Sequence, residues 1–232
     1  MQRPVAAGDE HNKPRRPVQM DVDADATPMT QALRTIFYSW SVPGTKGCDA
    51  WQMVLNAVAT GKMSADKGFN GITRLLHAAA GGWSVVYVQQ LLKLGASPSP
   101  ANYMGATPMH LAAGSGLDTV AKCKLLPRSD LSACDKQLNT PLHSVIGSLR
   151  VDQRNAKELL DALQWMVEQP ECSLDSKNCH GYSALDMLVL FPEYAFRECA
   201  AARAVLRTAM AQQARRSQLR TTWIATVAAA SG

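Results

Sequence analysis

Cysteine and histidine are the side chains with the widest chemical reach in this chain, and two of them are adjacent. Cys179 and His180 stand side by side, which inside a pocket would be a thiol nucleophile and its base. With Cys172 they would also offer three soft ligands to a metal ion. The spacing supports neither chemistry. A nucleophile and its base must converge in a pocket, and neighbours on a turn seldom do so. Cys172, Cys179 and His180 match no zinc-ligand pattern, and the six cysteines contain no C-x-x-C pair. Phosphate-cradling loops of the G-x-x-x-x-G-K-[ST] or G-x-G-x-x-G kind are missing too, and Gly114-Ser115-Gly116 reads as the end of a helix. The sequence therefore points away from an enzyme: no catalytic residue, metal, cofactor or small-molecule substrate is expected.

Of the four remaining histidines, His11 lies in the N-terminal tail and the other three are ordered by distance along the chain. His77, His110 and His143 are 33 residues apart, in the strings Arg74-Leu75-Leu76-His77-Ala78-Ala79, Thr107-Pro108-Met109-His110-Leu111-Ala112-Ala113 and Thr140-Pro141-Leu142-His143. A fourth copy, Gly181-Tyr182-Ser183-Ala184-Leu185-Asp186, follows after 43 residues, so the third unit carries ten extra. A fixed period of this length means stacked supersecondary units, none of which can bury its apolar face alone.

The repeated Thr-Pro-Leu-His string resembles the ankyrin-repeat signature, present as Thr107-Pro108-Met109-His110 and Thr140-Pro141-Leu142-His143 at the period of that family. Leu91-Leu92, Gly95-Ala96 and Gly105 extend the resemblance, which covers residues 67–195. It implies an all-α repeat protein: an ankyrin solenoid of stacked helix-turn-helix units with β-hairpin finger loops and helical caps at both ends. Thr107 and Thr140 are suited to cap helices, with Pro108 and Pro141 where no N–H is needed. His110 and His143 are suited to tie neighbouring finger loops through ring N–H bonds to backbone. Gly95 and Gly105 permit positive φ. Asp186 replaces the histidine in the fourth unit and loses that donor. The insertion falls between the helices of the third unit, near 147–155, as a charged loop bearing Arg150, Asp152 and Arg154.

Flanking segments complete the organisation. Residues 1–27 read as a disordered tail, because prolines, charges and small residues give it no apolar face. Residues 28–66 form an N-terminal helical cap: Pro28 starts a helix behind Thr27, and Trp51, Val54, Leu55 and Val58 make an i, i+3, i+4, i+7 stripe. Ser41 to Gly47 is the turn between the two helices. Trp83 and Tyr87 are expected in the core against this cap. After a break at Phe191-Pro192, Glu193 to about Leu219 reads as one long helix, and residues 196–221 are assigned as the C-terminal cap. Ala200, Ala201, Val205, Leu206, Ala209 and Met210 form its buried side, and 222–232 are a tail. From Glu193 onward there are six arginines against two acids.

Composition narrows the function. With 24 Lys+Arg against 19 Asp+Glu, a net +5 is too small to imply nucleic-acid binding, and 47% hydrophobic content fills a core. No apolar run reaches the length of a membrane span and no secretory signal opens the chain. The expectation is a monomeric intracellular protein, cytoplasmic or nuclear, that binds another protein as an adaptor or scaffold. Its partner-binding residues would be at the finger tips: Asn102, Tyr103 and Met104 in one loop, Lys136 and Gln137 in the next, Asn178 and His180 in the last. Two alternatives compete. Pro28, Leu33, Ile36-Phe37 and Cys48-Asp49-Ala50-Trp51 faintly resemble an F-box, which implies a ubiquitin-ligase substrate adaptor. A small repeat domain behind a disordered tail also suits a pathogen effector acting on proteins of a host cell.

Overall fold

The computed structural model describes residues 27–38, 45–66, 68–69, 73–151, 154–189 and 197–230. The expected tail at 1–26, most of the turn at 41–47, Asp152 and the Phe191-Pro192 break lie outside the described residues. The chain is all-α in class, with ten α-helices and a 3-10 helix (Arg128–Ser132) among those residues. The first two are α1 (Pro28–Tyr38) and α2 (Thr45–Ala59). Thr27 caps α1, its hydroxyl oxygen accepting the Thr30 N–H at 3.2 Å. Trp51, Val54, Leu55 and Val58 are all buried, as their spacing requires, together with Leu33, Ile36 and Phe37 of α1.

Three helix pairs follow: α3 (Leu75–Gly82) with α4 (Val85–Lys93), α5 (Pro108–Ala113) with α6 (Thr119–Leu125), and α7 (Pro141–Val151) with α8 (Ala156–Val167). Then come α9 (Ala184–Val189) and α10 (Arg197–Ala230). Helices α3, α5, α7 and α9 pack in series as one layer, and α4, α6, α8 and α10 as a second. Alanines at 79, 80, 112 and 113 are fully buried between them, where a larger side chain would hold the helices apart. Neighbouring units also cap one another. The Asp118 carboxylate accepts the Val85 N–H at the start of α4 at 3.1 Å. The two-residue strands β1 (Gly68–Phe69) and β2 (Thr73–Arg74) pair antiparallel. The later loops are tight turns without strands, so the expected β-hairpin form is not extended there.

Three expectations are corrected. The ten-residue insertion is not a protruding charged loop. Helix α7 has 11 residues where α5 has 6, and α8 has 12 where α6 has 7. Each helix has grown by five residues, and Arg150 belongs to α7. Helix formation adds a hydrogen bond for every residue fixed, and α8 buries Leu159, Leu163 and Met166 on one face, so the extra chain is stable as helix. The C-terminal helix runs to Ala230, past the end expected near Leu219, because the segment 197–230 contains no glycine or proline to stop it. Its buried line is Cys199, Ala202 and Leu206, while Ala200 faces solvent. No helix among the described residues is long and apolar enough to cross a membrane.

The F-box-like residues have an internal use. Trp51 is fully buried, stacked on Tyr87 with ring centroids 4.8 Å apart and edge-on to Trp83 at 5.9 Å. The Trp83 indole N–H donates to the Ile36 carbonyl at 3.3 Å. Burial pushes the Tyr87 hydroxyl up to about 12, with a side-chain bond to Cys48 adding to the shift. These aromatics join the N-terminal helices to α4, the core role expected of Trp83 and Tyr87.

Candidate partner-binding surface

Three loops precede α5, α7 and α9, and the same turn chemistry builds each one. Asn102, Asp135 and Asn178 occupy equivalent positions, 33 and 43 residues apart. The Asn102 side-chain oxygen accepts from the N–H groups of Met104 and Ala106, at 2.9 and 3.0 Å. Asp135 does the same for Gln137 and Asn139, both at 2.8 Å. Asn178 does it for His180 and Tyr182, at 3.0 and 3.1 Å. Two backbone bonds close each loop: the N–H groups of Asn102, Asp135 and Asn178 donate to the carbonyls of Ala106, Asn139 and Tyr182, and those of Gly105, Leu138 and Gly181 donate back to the carbonyls of Asn102, Asp135 and Asn178. These are Asx-type turns followed by a left-handed residue. The left-handed residues are Gly105 (φ 78°), Leu138 (φ 59°) and Gly181 (φ 78°).

Hydrogen bonds then join loop to loop. The Lys136 N–H donates to the Met104 carbonyl at 2.9 Å, and the Cys179 N–H to the Gln137 carbonyl at 2.8 Å. Histidine rings fasten the loops from behind. Nε2 of His77 lies 3.0 Å from the Ala106 carbonyl, that of His110 lies 2.9 Å from Asn139, and that of His143 lies 3.1 Å from Tyr182. Nδ1 of His110 accepts the Thr107 N–H at 3.1 Å, and Nδ1 of His143 accepts the Thr140 N–H at 3.2 Å. An acceptor Nδ1 leaves the proton on Nε2, so both rings are neutral donors to the next loop. Burial lowers the pKa of each below the ordinary histidine value. Thr107 and His110 form a reciprocal capping box with Pro108 following.

Asp186 keeps half of that function. Its carboxylate accepts from the Ser183 N–H at 2.9 Å and the Ser183 hydroxyl at 2.8 Å. The bond from the Ser183 backbone holds its pKa below the usual value. A carboxylate has no proton for a further loop, so the chain of ties ends here.

Large side chains stand exposed on all three loops, which the backbone bonds join into a row. Tyr103 is 59% exposed, Met104 43%, Leu138 50% and Tyr182 37%. Lys136, Gln137 and His180 are also exposed, and the His180 and Tyr182 rings lie 6.4 Å apart. Of the residues expected to contact a partner, Tyr103, Met104, Lys136, Gln137 and His180 lie in this row. Asn102 and Asn178 build the turns, their side-chain oxygens committed to their own loops. Asn178 is only 9% exposed, and its amide nitrogen donates to Asn139 Oδ1 at 3.3 Å. Leu138 and Tyr182 are additions to the row. Leu138 had a signal in the sequence, for it stands 33 residues after Gly105, where a glycine would be expected.

No protein-family profile matches this chain. Over 61 residues it is 39% identical to "Potassium channel KOR2" of Oryza sativa subsp. japonica, a match covering 26% of this chain and 8% of that protein. The likeness is to a short segment of a much longer protein.

Proposed function

We propose that this chain is a non-catalytic protein-recognition module of the ankyrin-repeat type, an adaptor or scaffold that binds a partner protein along its row of loop tips. One observation carries the reading. Three turns of the same construction are held in line by backbone and histidine bonds, and their tips display Tyr103, Met104, Leu138 and Tyr182 to solvent. Large side chains on a preorganised edge lose little entropy when a partner covers them, and tyrosine is enriched among residues that dominate interface energies.

The backbone of Leu138 is a second support. A non-glycine residue at φ 59° is strained, and a half-exposed leucine gains little from folding there. Contact with a partner gives that side chain a use that stability does not.

Proximity labelling in eukaryotic cells tests the reading by comparing the full chain with a Tyr103→Ala/Met104→Ala/Leu138→Gly variant. Loss of the labelled partner set in the variant supports recognition by the loop tips. An unchanged set removes the function from this surface.

A further inference from the structure

Helix α10 is longer than anything it packs on. Its 34 residues extend about 51 Å at 1.5 Å per residue, whereas the 12 residues of α8 extend about 18 Å. Every residue from Ala211 to Ile224 is exposed. Yet the exposed part repeats the register of the packed part. Eighteen residues make five full turns, so Arg220, Trp223 and Ile224 lie on the same side of the helix as Ala202, Val205 and Leu206. Ala202 and Leu206 are buried and Val205 packs against the core, while Trp223 is 67% and Ile224 52% exposed. Leu219, at the margin of that side in the register of half-buried Ala201, is 71% exposed. The packed side therefore continues beyond the end of its own stack, carrying Trp223 and Ile224 together with Gln213, Arg216 and Arg220.

Beside the point of emergence lies a cleft of about 540 Å³ between the end of α8 and α10. Val167, Pro170 and Leu174 line one wall, Val205 and Ala209 the other, with Arg216 and Glu168 also in its lining. The surfaces flanking it are opposite in charge. Residues 156–176 expose Glu158, Asp161, Glu168, Glu171 and Asp175 against one lysine, Lys157. After Glu198 the chain has no acidic residue and five arginines: Arg203, Arg207, Arg215, Arg216 and Arg220.

We propose that the occupant of this step is a second copy of the chain. In an isologous pair each molecule lays its arginine-bearing overhang on the carboxylates of the other's α8 and of the segment that follows it, Glu168 and Glu171 included, and Leu219 and Trp223 enter the other's cleft. Charge complementarity selects this occupant, because the chain carries both the basic helix and the acidic face that it needs. The shape agrees. The side bearing Trp223 is the side of the stack, so a flat lipid surface meets the stack before it reaches Trp223, whereas a compact partner fits the step. This pairing replaces the expected monomer and shares no residue with the row of loop tips, so it stands or falls independently of that row.

Sedimentation equilibrium of the full chain over about a hundredfold range of concentration tests it, with screening by salt as a second axis. A monomer–dimer equilibrium that weakens as salt rises is expected. The Leu219→Ala/Trp223→Ala variant alters only exposed side chains, so it should fold normally and raise the dimer dissociation constant at least about tenfold. Arg216→Glu/Arg220→Glu should weaken the dimer likewise, and adding Glu168→Arg/Glu171→Arg in the same chain should recover it. A protein that stays monomeric throughout, or a dimer indifferent to these changes, overturns the proposal. So does a monomer that sediments with phosphatidylserine vesicles and loses them on Trp223→Ala, which would make lipid the occupant.

Discussion

The second and third units have the same loop edge and different helices. Asn102 and Asp135 make the same pair of turn bonds, and His110 and His143 make the same tie to the loop ahead. Behind those loops the helices differ by five residues each. The comparison separates what the stack must keep from what it can vary. At the loop edge each unit satisfies polar groups of the next, so an inserted residue would break bonds on both sides. At the far ends of α7 and α8 an insertion extends two helices that face one another, and every new N–H finds its partner within its own helix.

Substitutions at the left-handed positions should break the comparison most strongly. A Cβ on Gly105 would lie 2.9 Å from the Lys136 nitrogen and 3.2 Å from the Asp135 carbonyl carbon, at φ 78°. Gly105→Ala should cost about 3 kcal/mol, combining left-handed strain with displacement of the neighbouring loop. Gly181 has the same φ but nothing within 4 Å of its added Cβ. Gly181→Ala should cost about 1 kcal/mol, the strain alone. Chemical denaturation of the two variants measures the difference, and equal losses would show that loop stacking contributes nothing.

The ties come next. His143→Ala leaves the Thr140 N–H and the Tyr182 carbonyl without their partner and should cost about 2 kcal/mol. Asp186→Ala removes only bonds to Ser183 and should cost less. Thermal melts of the two proteins rank them, and the reverse order would deny that the histidine acts between units.

Leu138 sharpens the comparison from the opposite direction. Leu138→Gly should stabilise the fold by about 1 kcal/mol, by relieving φ 59° at the position that glycine fills in the other loops. A loss of stability would mean that the leucine packs usefully.

The smallest effect is on acid stability. His110 and His143 have folded pKa values below the unfolded value near 6.5. The unfolded chain then binds more protons in this window, so the stability these rings supply is complete above about pH 6.5 and declines as pH falls below it. A His110→Ala/His143→Ala protein should show a flatter dependence of Tm on pH between about 5 and 7.

Much of this edge was legible in the sequence, because its bonds recur at fixed spacing. The thirty-three-residue interval between His77, His110 and His143 fixes a shared position, and threonine three residues before a histidine identifies the reciprocal cap. Periodicity also located the buried stripe from Trp51 to Val58. The insertion was less legible, since a charged segment such as Arg150–Arg154 suits a loop and an exposed helix end equally well. The length of α10 was missed because alanine, threonine and glutamine carry no strong periodicity, so only the missing helix breakers could show that it continues. The turn role of Asn102 and Asn178 is hidden in the sequence for a different reason. An asparagine at a tip is polar whether it faces a partner or its own backbone, and only geometry decides.

Recognition by the loop edge is the central claim, and an affinity measurement tests it most directly. Titration calorimetry of a captured partner against the native chain and against the Tyr103→Ala/Met104→Ala/Leu138→Gly variant separates binding from folding. The account predicts that the variant binds at least about a hundredfold more weakly while its Tm is unchanged or higher. Affinities within about twofold of one another, at equal stability, would contradict it.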